Sequence, residues 1–520
     1  MGSAAAAAAT VLLLSACPAP PTAEPVAEEI PERYAGQEIA WTACPGREAP
    51  LECGTVTVPL DHDRPGGQTL DLALIRLPSA GPPQERVGSL VINPGGPGVP
   101  GTAMFHGTVF SDRVRASFDL VSFDPRGVGT GGGLSCGDRY AFEDARQALA
   151  DTHPRHLSAV DLQPLDDAAR RYAGSCTEAA GEEVLAEVGT VNVVRDLEII
   201  RDALGEDALT YVGYSYGTHI GALYAHMYPR RTRAMVLDAA VDTDASTVET
   251  ALDQTAAFQA AWERFVDHCA ATVRDCPFTP GADPDTVARE LIEKLDRAPV
   301  SADGIPVDGR LLLLMATSAL YREEAWDPLA DAFAALTREG AGEPGAPGES
   351  GEELLALYEE VFGGLGEEEG EPQVGTGGDH GDPRAAYTAV TCADHASPTD
   401  VTGYRDAAAE AVDLSPLFGA DAVWDHLPCA HWQRAERPPT GFTAPDAPPL
   451  VVVGTVGDPA TPYAWSRELA ERLESAVLVT YEGGGHTLYG SGRVPCVEEA
   501  VDAYLIGGET PPEGLSCPEE

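Results

Sequence analysis

The chain has 520 residues, with 83 acidic against 33 basic side chains and a formal net charge of −50. A surface this acidic repels phosphate backbones and anionic lipid, which argues against a nucleic-acid-binding protein. The length is sufficient for a large core, and α/β enzymes of this size often form a single sheet domain.

The N-terminal residues have the pattern of a targeting segment. Residues 4–14 are apolar but too few to span a bilayer, and Leu14-Ser15-Ala16-Cys17 follows, which is similar to a bacterial lipobox. We predict a lipoprotein signal peptide over residues 1–17, lipidation of Cys17, and a cell-surface protein held to the membrane through the lipid alone. No lysine or arginine precedes the apolar stretch, and the alternative is an ordinary cleaved signal peptide and a secreted protein. Residues 18–35 are rich in Pro, Ala and Glu, which predicts a flexible tether.

Ten cysteines remain after Cys17, an even number that suits five disulfides in an exported chain. The sequence leaves their connectivity open. Pairing of neighbours is the simplest scheme, and it gives Cys44–Cys53, Cys136–Cys176, Cys269–Cys276, Cys392–Cys429 and Cys496–Cys517. No cluster of Cys and His has the spacing of a zinc site, and we predict neither a metal nor a cofactor.

The first half of the chain predicts a sheet. Strands are expected at residues 55–60, 70–77, 88–93, 119–123, 209–213 and 234–237. A polar segment containing glycine joins the first two, which favours an antiparallel hairpin. The later strands alternate with helices, as at residues 193–204. This alternation is typical of a mostly parallel, doubly wound α/β sheet.

The pattern changes at residue 244, after which no buried strand is predicted until residue 449. Helices dominate this region, at residues 248–272, 285–296, 308–338 and 352–362, while the rest of residues 339–382 has the Gly/Glu/Pro composition of a mobile acidic loop. Strands at residues 449–454 and 476–481 resume the sheet. We therefore predict a sheet domain made of residues 36–243 and 449–520, with a helical cap of residues 244–448 inserted between its sixth and seventh strands.

A strand, a sharp turn and a helix meet at Gly213-Tyr214-Ser215-Tyr216-Gly217, which has the pattern G-x-S-x-G. Such a turn holds its middle residue in a strained conformation, and side chains two positions away on either side would collide. The turn exposes the hydroxyl of Ser215 at the carboxyl edge of the sheet, beside a helix N-terminus. The pattern therefore predicts that Ser215 is a nucleophile.

A nucleophilic serine needs a base, and the base needs an orienting acid. His486 lies in a glycine-rich loop directly after the last predicted strand, and Asp458 follows the strand before it. One strand–helix–strand unit separates the two residues, which returns both loops to the same sheet edge. We predict a triad of Ser215, Asp458 and His486.

The oxyanion formed by attack on a carbonyl needs two backbone donors. The first is expected to be the N–H of Tyr216, directly after the nucleophile. The second should come from Asn93-Pro94-Gly95-Gly96-Pro97-Gly98, where the prolines have no N–H. Gly95 and Gly96 are the alternatives, and we select Gly96.

Several motifs together resemble the exported tripeptidyl aminopeptidases of actinobacteria, which are α/β-hydrolases related to proline iminopeptidase with a TAP-like C-terminal region. They are TVTVPLDH, INPGGPG, FDPRGVG, YVGYSYGT, MVLDAAVD, TCADH, GDPATP and GGGH. The resemblance runs from about Trp41 to the C-terminus and is loose in the cap. It implies an α/β-hydrolase fold, the same triad, paired cysteines and, in several members, lipid anchoring. Thr461 matches a family threonine near the site, and we predict that it contacts substrate.

An aminopeptidase must bind the free α-ammonium group of its substrate, which a carboxylate facing the pocket can do. Asp394 in Thr391-Cys392-Ala393-Asp394 is the first candidate, with Asp242 second. Structural or surface roles for both carboxylates are an equal alternative.

The sequence thus predicts a serine exopeptidase that releases short peptides, tripeptides above all, from free N-termini through an acyl-enzyme. Its partners would be peptides with unblocked N-termini. A carboxylesterase using the same triad is the nearest alternative, because the same groups hydrolyse esters. A catalytically silent binding lipoprotein is the alternative from another class.

Overall fold

The computed structural model describes residues 29–47, 50–105, 110–130, 132–137, 139–150, 152–279, 281–338, 349–363, 381–432 and 437–519. The predicted signal peptide with Cys17, most of the tether, and the acidic tract on either side of residues 349–363 lie outside these ranges. The boundaries predicted for the leader and the tether therefore stay predictions.

The strands of the described residues form one large sheet and one small hairpin. They are Thr42–Ala43 (β1), Glu52–Pro59 (β2), Thr69–Leu77 (β3), Gly88–Asn93 (β4), Phe118–Phe123 (β5), Leu209–Tyr214 (β6), Thr232–Asp238 (β7), Val300–Ala302 (β8), Ile305–Val307 (β9), Leu450–Gly457 (β10), Ala476–Gly484 (β11) and Ser516–Cys517 (β12). The large sheet has the order β1-β2-β3-β5-β4-β6-β7-β10-β11-β12. Its first four strands pair antiparallel and the remaining pairs are parallel.

The helices occupy the connections between strands. They are Asp112–Ser117 (α1), Tyr140–Gln147 (α2), Ala159–Ala180 (α3), Glu182–Ala186 (α4), Thr190–Ala203 (α5), Tyr216–Met227 (α6), Thr247–Thr272 (α7), Pro284–Arg297 (α8), Gly309–Ala319 (α9), Trp326–Arg338 (α10), Glu349–Phe362 (α11), Pro383–Asp394 (α12), Val401–Leu414 (α13), Gly419–Trp424 (α14), Tyr463–Arg472 (α15) and Pro495–Gly507 (α16). Over the described part of the chain, none of them has the length and apolar character of a membrane-spanning segment.

The central strands are covered on both faces. Every residue of β4 and β6 is buried, as expected for parallel strands with helices on either side. Apolar residues of α5, α6 and α15 pack on one face. Those of α1 and α16 pack on the other. The α/β-hydrolase fold with a mostly parallel, doubly wound sheet is confirmed.

The chain leaves the sheet after β7 and returns at β10, and the helices α7–α14 between them form the cap. An aromatic core with Trp262, Phe265 and Phe333 fills part of it. Two details differ from the prediction. The cap contains the antiparallel hairpin β8–β9. The helix predicted over residues 308–338 is two helices, α9 and α10, and Pro328 lies in the first turn of α10, where a residue without an N–H is tolerated.

Five disulfides join neighbouring cysteines, so the simplest pairing scheme is confirmed. They are Cys44–Cys53, Cys136–Cys176, Cys269–Cys276, Cys392–Cys429 and Cys496–Cys517. Each closes a loop within one region of the fold, and none links the cap to the sheet.

A buried ion pair fixes the D-P-R-G segment after β5. Arg126 donates from Nε and Nη2 to the two carboxylate oxygens of Asp196 at 2.7 and 2.6 Å, and His62 Nε2 lies 2.8 Å from the same carboxylate. Burial favours a higher pKa for Asp196, but the Arg126 charge and the hydrogen bonds from both partners lower the pKa below its usual range. The carbonyls of Pro59 and Leu60 also accept from Arg126, which ties the end of β2 to α5.

Candidate active site

The turn between β6 and α6 has the geometry predicted for a nucleophile elbow. Ser215 is held at φ 53° and ψ −122°, and its N–H donates to the carbonyl of Asp238 at 2.9 Å. A Cβ on Gly213 would lie 2.2 Å from the carbonyl oxygen of Gly217, and one on Gly217 would lie 2.9 Å from that of Asn93. Both positions therefore require glycine for steric reasons.

His486 and Asp458 meet at the same edge of the sheet. His486 Nδ1 lies 3.0 and 2.9 Å from the two carboxylate oxygens of Asp458. Asp458 also accepts hydrogen bonds from the N–H groups of Ala460 and Thr461 at 2.8 and 2.9 Å, and from the Thr461 hydroxyl at 2.8 Å. A carboxylate fixed in this way orients the ring with hydrogen on Nδ1, which leaves Nε2 free to accept a proton.

The charges around His486 favour its protonated form. Burial lowers the pKa of the imidazole, but the charge and hydrogen bond of Asp458, with a further contribution from the charge of Asp238, raise it above its ordinary value. The same charges stabilise the imidazolium that forms when the ring accepts a proton from an alcohol.

Asp238, at the end of β7, was not selected from the sequence. Its carboxylate accepts the N–H groups of Leu488 and Tyr489, each at 2.8 Å, in the loop that carries His486. Its carbonyl accepts the N–H of Ser215. One residue thus ties together the loops of the serine and the histidine. Burial raises the pKa of Asp238 to about 6. The feature of the sequence that could have identified Asp238 is an acidic residue at the end of a buried strand.

Tyr321, in the cap, is the second residue that sequence reasoning missed. Its carbonyl accepts the backbone N–H of His486 at 2.9 Å. Its ring stands edge-on to the imidazole, with centroids 5.3 Å apart. Because the main contact is through a backbone carbonyl, no side-chain pattern in the sequence predicts this contact with His486.

Ser215 and His486 line a common cavity of about 680 Å³ between the sheet and the cap. Gly96 and Tyr216, selected as oxyanion donors, line it too. Gly95 does not, and its N–H is already bound to the Asn93 side chain at 3.0 Å. The geometry therefore favours Gly96 over Gly95, as selected from the sequence.

Of the three residues predicted to bind substrate, two line the cavity and one does not. Asp242 and Thr461 line the cavity, but the Thr461 hydroxyl donates to Asp458, so its contact with substrate stays a prediction. Asp394 is buried behind Tyr216 and does not line the cavity. It accepts the N–H and hydroxyl of Thr190 at 2.9 and 2.6 Å, and that hydroxyl lies 2.5 Å from the Tyr216 phenol. These contacts indicate that Asp394 stabilises the fold. Asp242 is therefore the carboxylate better placed to bind the substrate α-ammonium group.

Two family models match the chain: alpha/beta hydrolase fold over residues 88–275 and TAP-like protein over residues 415–517. The chain is 36% identical to serine protease Hip1 of Mycobacterium tuberculosis, over 93% of this chain and 91% of that protein. It is 33% identical to tripeptidyl aminopeptidase of Streptomyces lividans, over 93% of this chain and 87% of that protein. Carboxylesterase B of M. tuberculosis is also 33% identical, over 97% of this chain and 96% of that protein.

Proposed function

The chain belongs to the tripeptidyl aminopeptidase family of α/β-hydrolases and is a serine hydrolase of the peptidase type, and we propose that it is an exported exopeptidase. It releases short peptides, tripeptides by preference, from free N-termini through an acyl-enzyme. The observation that carries the proposal is the Asp458–His486 pair on the same cavity as the strained Ser215.

In the first step Ser215 Oγ attacks the scissile carbonyl carbon while its proton passes to His486 Nε2. The carbonyl electrons move to oxygen, where the N–H groups of Gly96 and Tyr216 bind the oxyanion. Asp458, held by its three other donors, keeps the ring in place and stabilises the imidazolium.

Collapse of the oxyanion breaks the C–N bond, and His486 gives its proton to the leaving amine. A water molecule then attacks the acyl-enzyme, with its proton taken by the same Nε2. The second collapse frees the peptide acid and returns the proton to Ser215 Oγ. Only peptide and water are consumed, and no cofactor takes part.

The preference for chain ends follows from the cap. α7–α14 cover the edge of the sheet where the loops meet, and Tyr321, Tyr387 and Thr391 of the cap line the cavity. A cavity of about 680 Å³ accommodates a few residues. Asp242 on its wall is the carboxylate that we assign to the substrate α-ammonium.

Export rests on the five disulfides, which form in oxidising compartments outside the cytosol. Lipid anchoring rests on Leu14-Ser15-Ala16-Cys17 in the sequence alone. Metabolic labelling with palmitate checks the anchor: the full chain should incorporate label and the Cys17→Ala variant should not. A labelled Cys17→Ala variant would contradict the anchor at this residue.

The decisive test of the chemistry combines an active-site probe with two substrates. A fluorophosphonate probe should label the protein and should not label Ser215→Ala. A tripeptidyl amide with a free N-terminus should be hydrolysed much faster than its N-acetylated form. Equal rates on the two would exclude the exopeptidase, and an unlabelled wild type would exclude the serine mechanism.

A carboxylesterase is the second candidate, favoured by the similarity to carboxylesterase B. It predicts fast hydrolysis of a short acyl ester and negligible hydrolysis of all peptidyl amides. Measuring both substrate types on one preparation, with Ser215→Ala as the shared blank, distinguishes the two functions.

A further inference from the structure

The charges on the cavity wall differ from those of the rest of the chain. The whole sequence contains 83 acidic and 33 basic residues. Among the charged residues that line the cavity the balance is reversed, with three arginines against two aspartates: Arg322, Arg384, Arg493, Asp242 and Asp425. A cavity that is relatively cationic within so acidic a chain favours a substrate that carries negative charge.

From this arrangement we propose that Arg384, Tyr387 and Tyr321 form a subsite for a carboxylate of the peptide substrate. The inference rests on the proposed peptidase function and adds a substrate class to it: acidic peptides are preferred over basic ones. The three residues come from two parts of the cap and face the same cavity.

Arg384 is the cavity arginine with the least neutralised charge. Its Nη1 lies 3.9 Å from Asp425 Oδ2. The other oxygen of Asp425 already accepts Arg139 Nη2 at 2.5 Å and Arg146 Nη1 at 2.9 Å. One carboxylate is therefore shared by three guanidinium groups, and Arg384, whose side chain is 58% exposed, keeps donors directed to solvent.

The other two arginines of the cavity are held by partners of their own. Arg493 donates to both carboxylate oxygens of Glu324 at 3.1 Å and to the carbonyl of Thr487 at 3.0 Å. Arg322 donates to the carbonyl of Glu360 at 2.6 Å, and its Nη1 lies 3.7 Å from the Oε1 of the same residue. The excess positive charge of the cavity is therefore concentrated at Arg384.

Two phenol groups complete the set of donors. Within the described residues neither Tyr321 nor Tyr387 has a hydrogen-bond partner for its hydroxyl, and both line the cavity. Burial raises the pKa of each phenol, that of Tyr321 to about 12, while the Arg384 charge acts in the opposite direction on both. The phenols therefore stay protonated, and Tyr387 lies one turn of α12 from Arg384.

The guanidinium of Arg384 has donors and no acceptor, and each of the two phenols adds an O–H donor beside it. A carboxylate complements such a set, because both of its oxygens accept and its charge matches that of Arg384. The side chain of Lys or Arg would bring like charge to the same place. Burial raises the pKa of Asp425, but the neighbouring arginines hold it well below the usual range, so the carboxylate is ionised. Its single charge is already shared by three guanidinium groups and cannot offset a further cation.

The position of Tyr321 places the subsite close to the reaction. Its ring contacts that of His486. A carboxylate bound there belongs to a residue near the scissile bond. It comes either from a Glu or Asp side chain in the released peptide or from the α-carboxylate of a short leaving segment.

Fluorogenic amides of 7-amino-4-methylcoumarin distinguish these sources. Ala-Ala-Ala is the reference, and Glu, Gln or Lys replaces one alanine at a time. At one position we expect kcat/KM for Glu to exceed that for Lys at least tenfold, with Gln between them. If the α-carboxylate is the ligand instead, tetra-alanine will be cleaved at least tenfold faster than its C-terminal amide, and the three side chains will be equivalent.

Substitutions of Arg384 and Tyr387 test whether these residues produce the preference for a carboxylate. Arg384→Met should bring Glu, Gln and Lys to within about twofold of one another, or abolish the preference for the free tetrapeptide. Arg384→Glu should invert the preference, and Tyr387→Phe should reduce it. Arg405→Met is the matched control, because Arg405 lies on α13, pairs with Asp406 and does not line the cavity. Thermal unfolding midpoints equal to that of the wild type exclude misfolding.

Different results would refute the carboxylate subsite and the proposed peptidase function. If Ala-Ala-Ala amide is cleaved but charge has no effect in either series, the subsite is refuted and the peptidase stands. If no amide is cleaved, the subsite is tested with esters, 4-nitrophenyl hydrogen glutarate against 4-nitrophenyl valerate. A tenfold advantage of the anionic ester that Arg384→Met removes supports the subsite, and equal rates refute it.

Discussion

Replacing Asp458 by asparagine changes which ring nitrogen of His486 carries hydrogen. The amide oxygen must take the Oδ1 position, because the N–H groups of Ala460 and Thr461 donate there at 2.8 and 2.9 Å. The amide nitrogen then occupies the Oδ2 position, 2.9 Å from His486 Nδ1. The amide NH₂ at this position donates to an unprotonated Nδ1, which favours the tautomer with hydrogen on Nε2 over the one in which Nδ1–H donates to the amide oxygen 3.0 Å away.

A ring with hydrogen on Nε2 cannot accept the proton of Ser215. This tautomer change lowers kcat by about 10⁴ in serine-protease triads. Because each factor of ten corresponds to about 1.4 kcal/mol, the expected loss of transition-state stabilisation is about 5.5 kcal/mol. The fold should be unaffected, since the Ala460 and Thr461 N–H groups keep their acceptor and the Thr461 hydroxyl can rotate to accept.

The assay is kcat and KM on a tripeptidyl amide at pH 7, with the thermal unfolding midpoint measured in parallel. Asp166→Asn is the matched control, because Asp166 Oδ1 lies 2.8 Å from His431 Nε2 in a His–Asp pair outside the cavity. The control should keep its activity to within about twofold. A loss of less than tenfold in a normally folded Asp458→Asn variant would refute the assignment of Asp458 as the orienting acid.

Three further predictions concern pH and stability. Because the folded pKa of His486 is raised and the base acts when neutral, the acidic limb of the kcat/KM profile should have its midpoint above 6.5; a midpoint below that value contradicts the electrostatics around the ring. Replacing two helical glycines by alanine should change the free energy of unfolding in urea in opposite directions. Gly221→Ala places a Cβ 2.6 Å from a leucine side chain and should destabilise the fold by about 1–3 kcal/mol. Gly174→Ala places a Cβ that meets nothing within 4 Å and should stabilise the fold by about 0.5–1 kcal/mol. Destabilisation by both would contradict the packing argument. Arg126→Met leaves the carboxylate of Asp196 buried with only an imidazole partner and should cost about 3–5 kcal/mol at neutral pH. This deficit should shrink as the pH falls and protonates the orphaned carboxylate, and a deficit independent of pH would contradict the ion-pair explanation.

The parts of the molecule governed by local sterics were predictable from the sequence. Gly213 and Gly217 flank the elbow because a Cβ at either position would collide with backbone. Asp458 and His486 could be paired because parallel strands return their loops to one edge, and the pairing of neighbouring cysteines was the simplest solution. In each case the interacting residues follow from chain direction and covalent geometry.

The parts that depend on how the cap lies on the sheet were not predictable. Tyr321 contacts His486 through a carbonyl, which every residue possesses. Asp394 looked suitable for an ammonium group, but it is bound to Thr190, more than 200 positions away in the chain. The hairpin β8–β9 is too short for its alternation to be distinguished from a loop. Long-range packing decides each of these.

The order of the disulfides has a consequence for how an exported chain acquires them. The bridges follow one another along the chain without nesting or crossing, with sequence separations of 7 to 40 residues. As the polypeptide emerges N-terminus first, each cysteine can react with the previous unpaired one before the next appears. Under the proposed export, and with Cys17 lipidated as proposed, oxidation in step with translocation would therefore reach the native set without reshuffling of thiols.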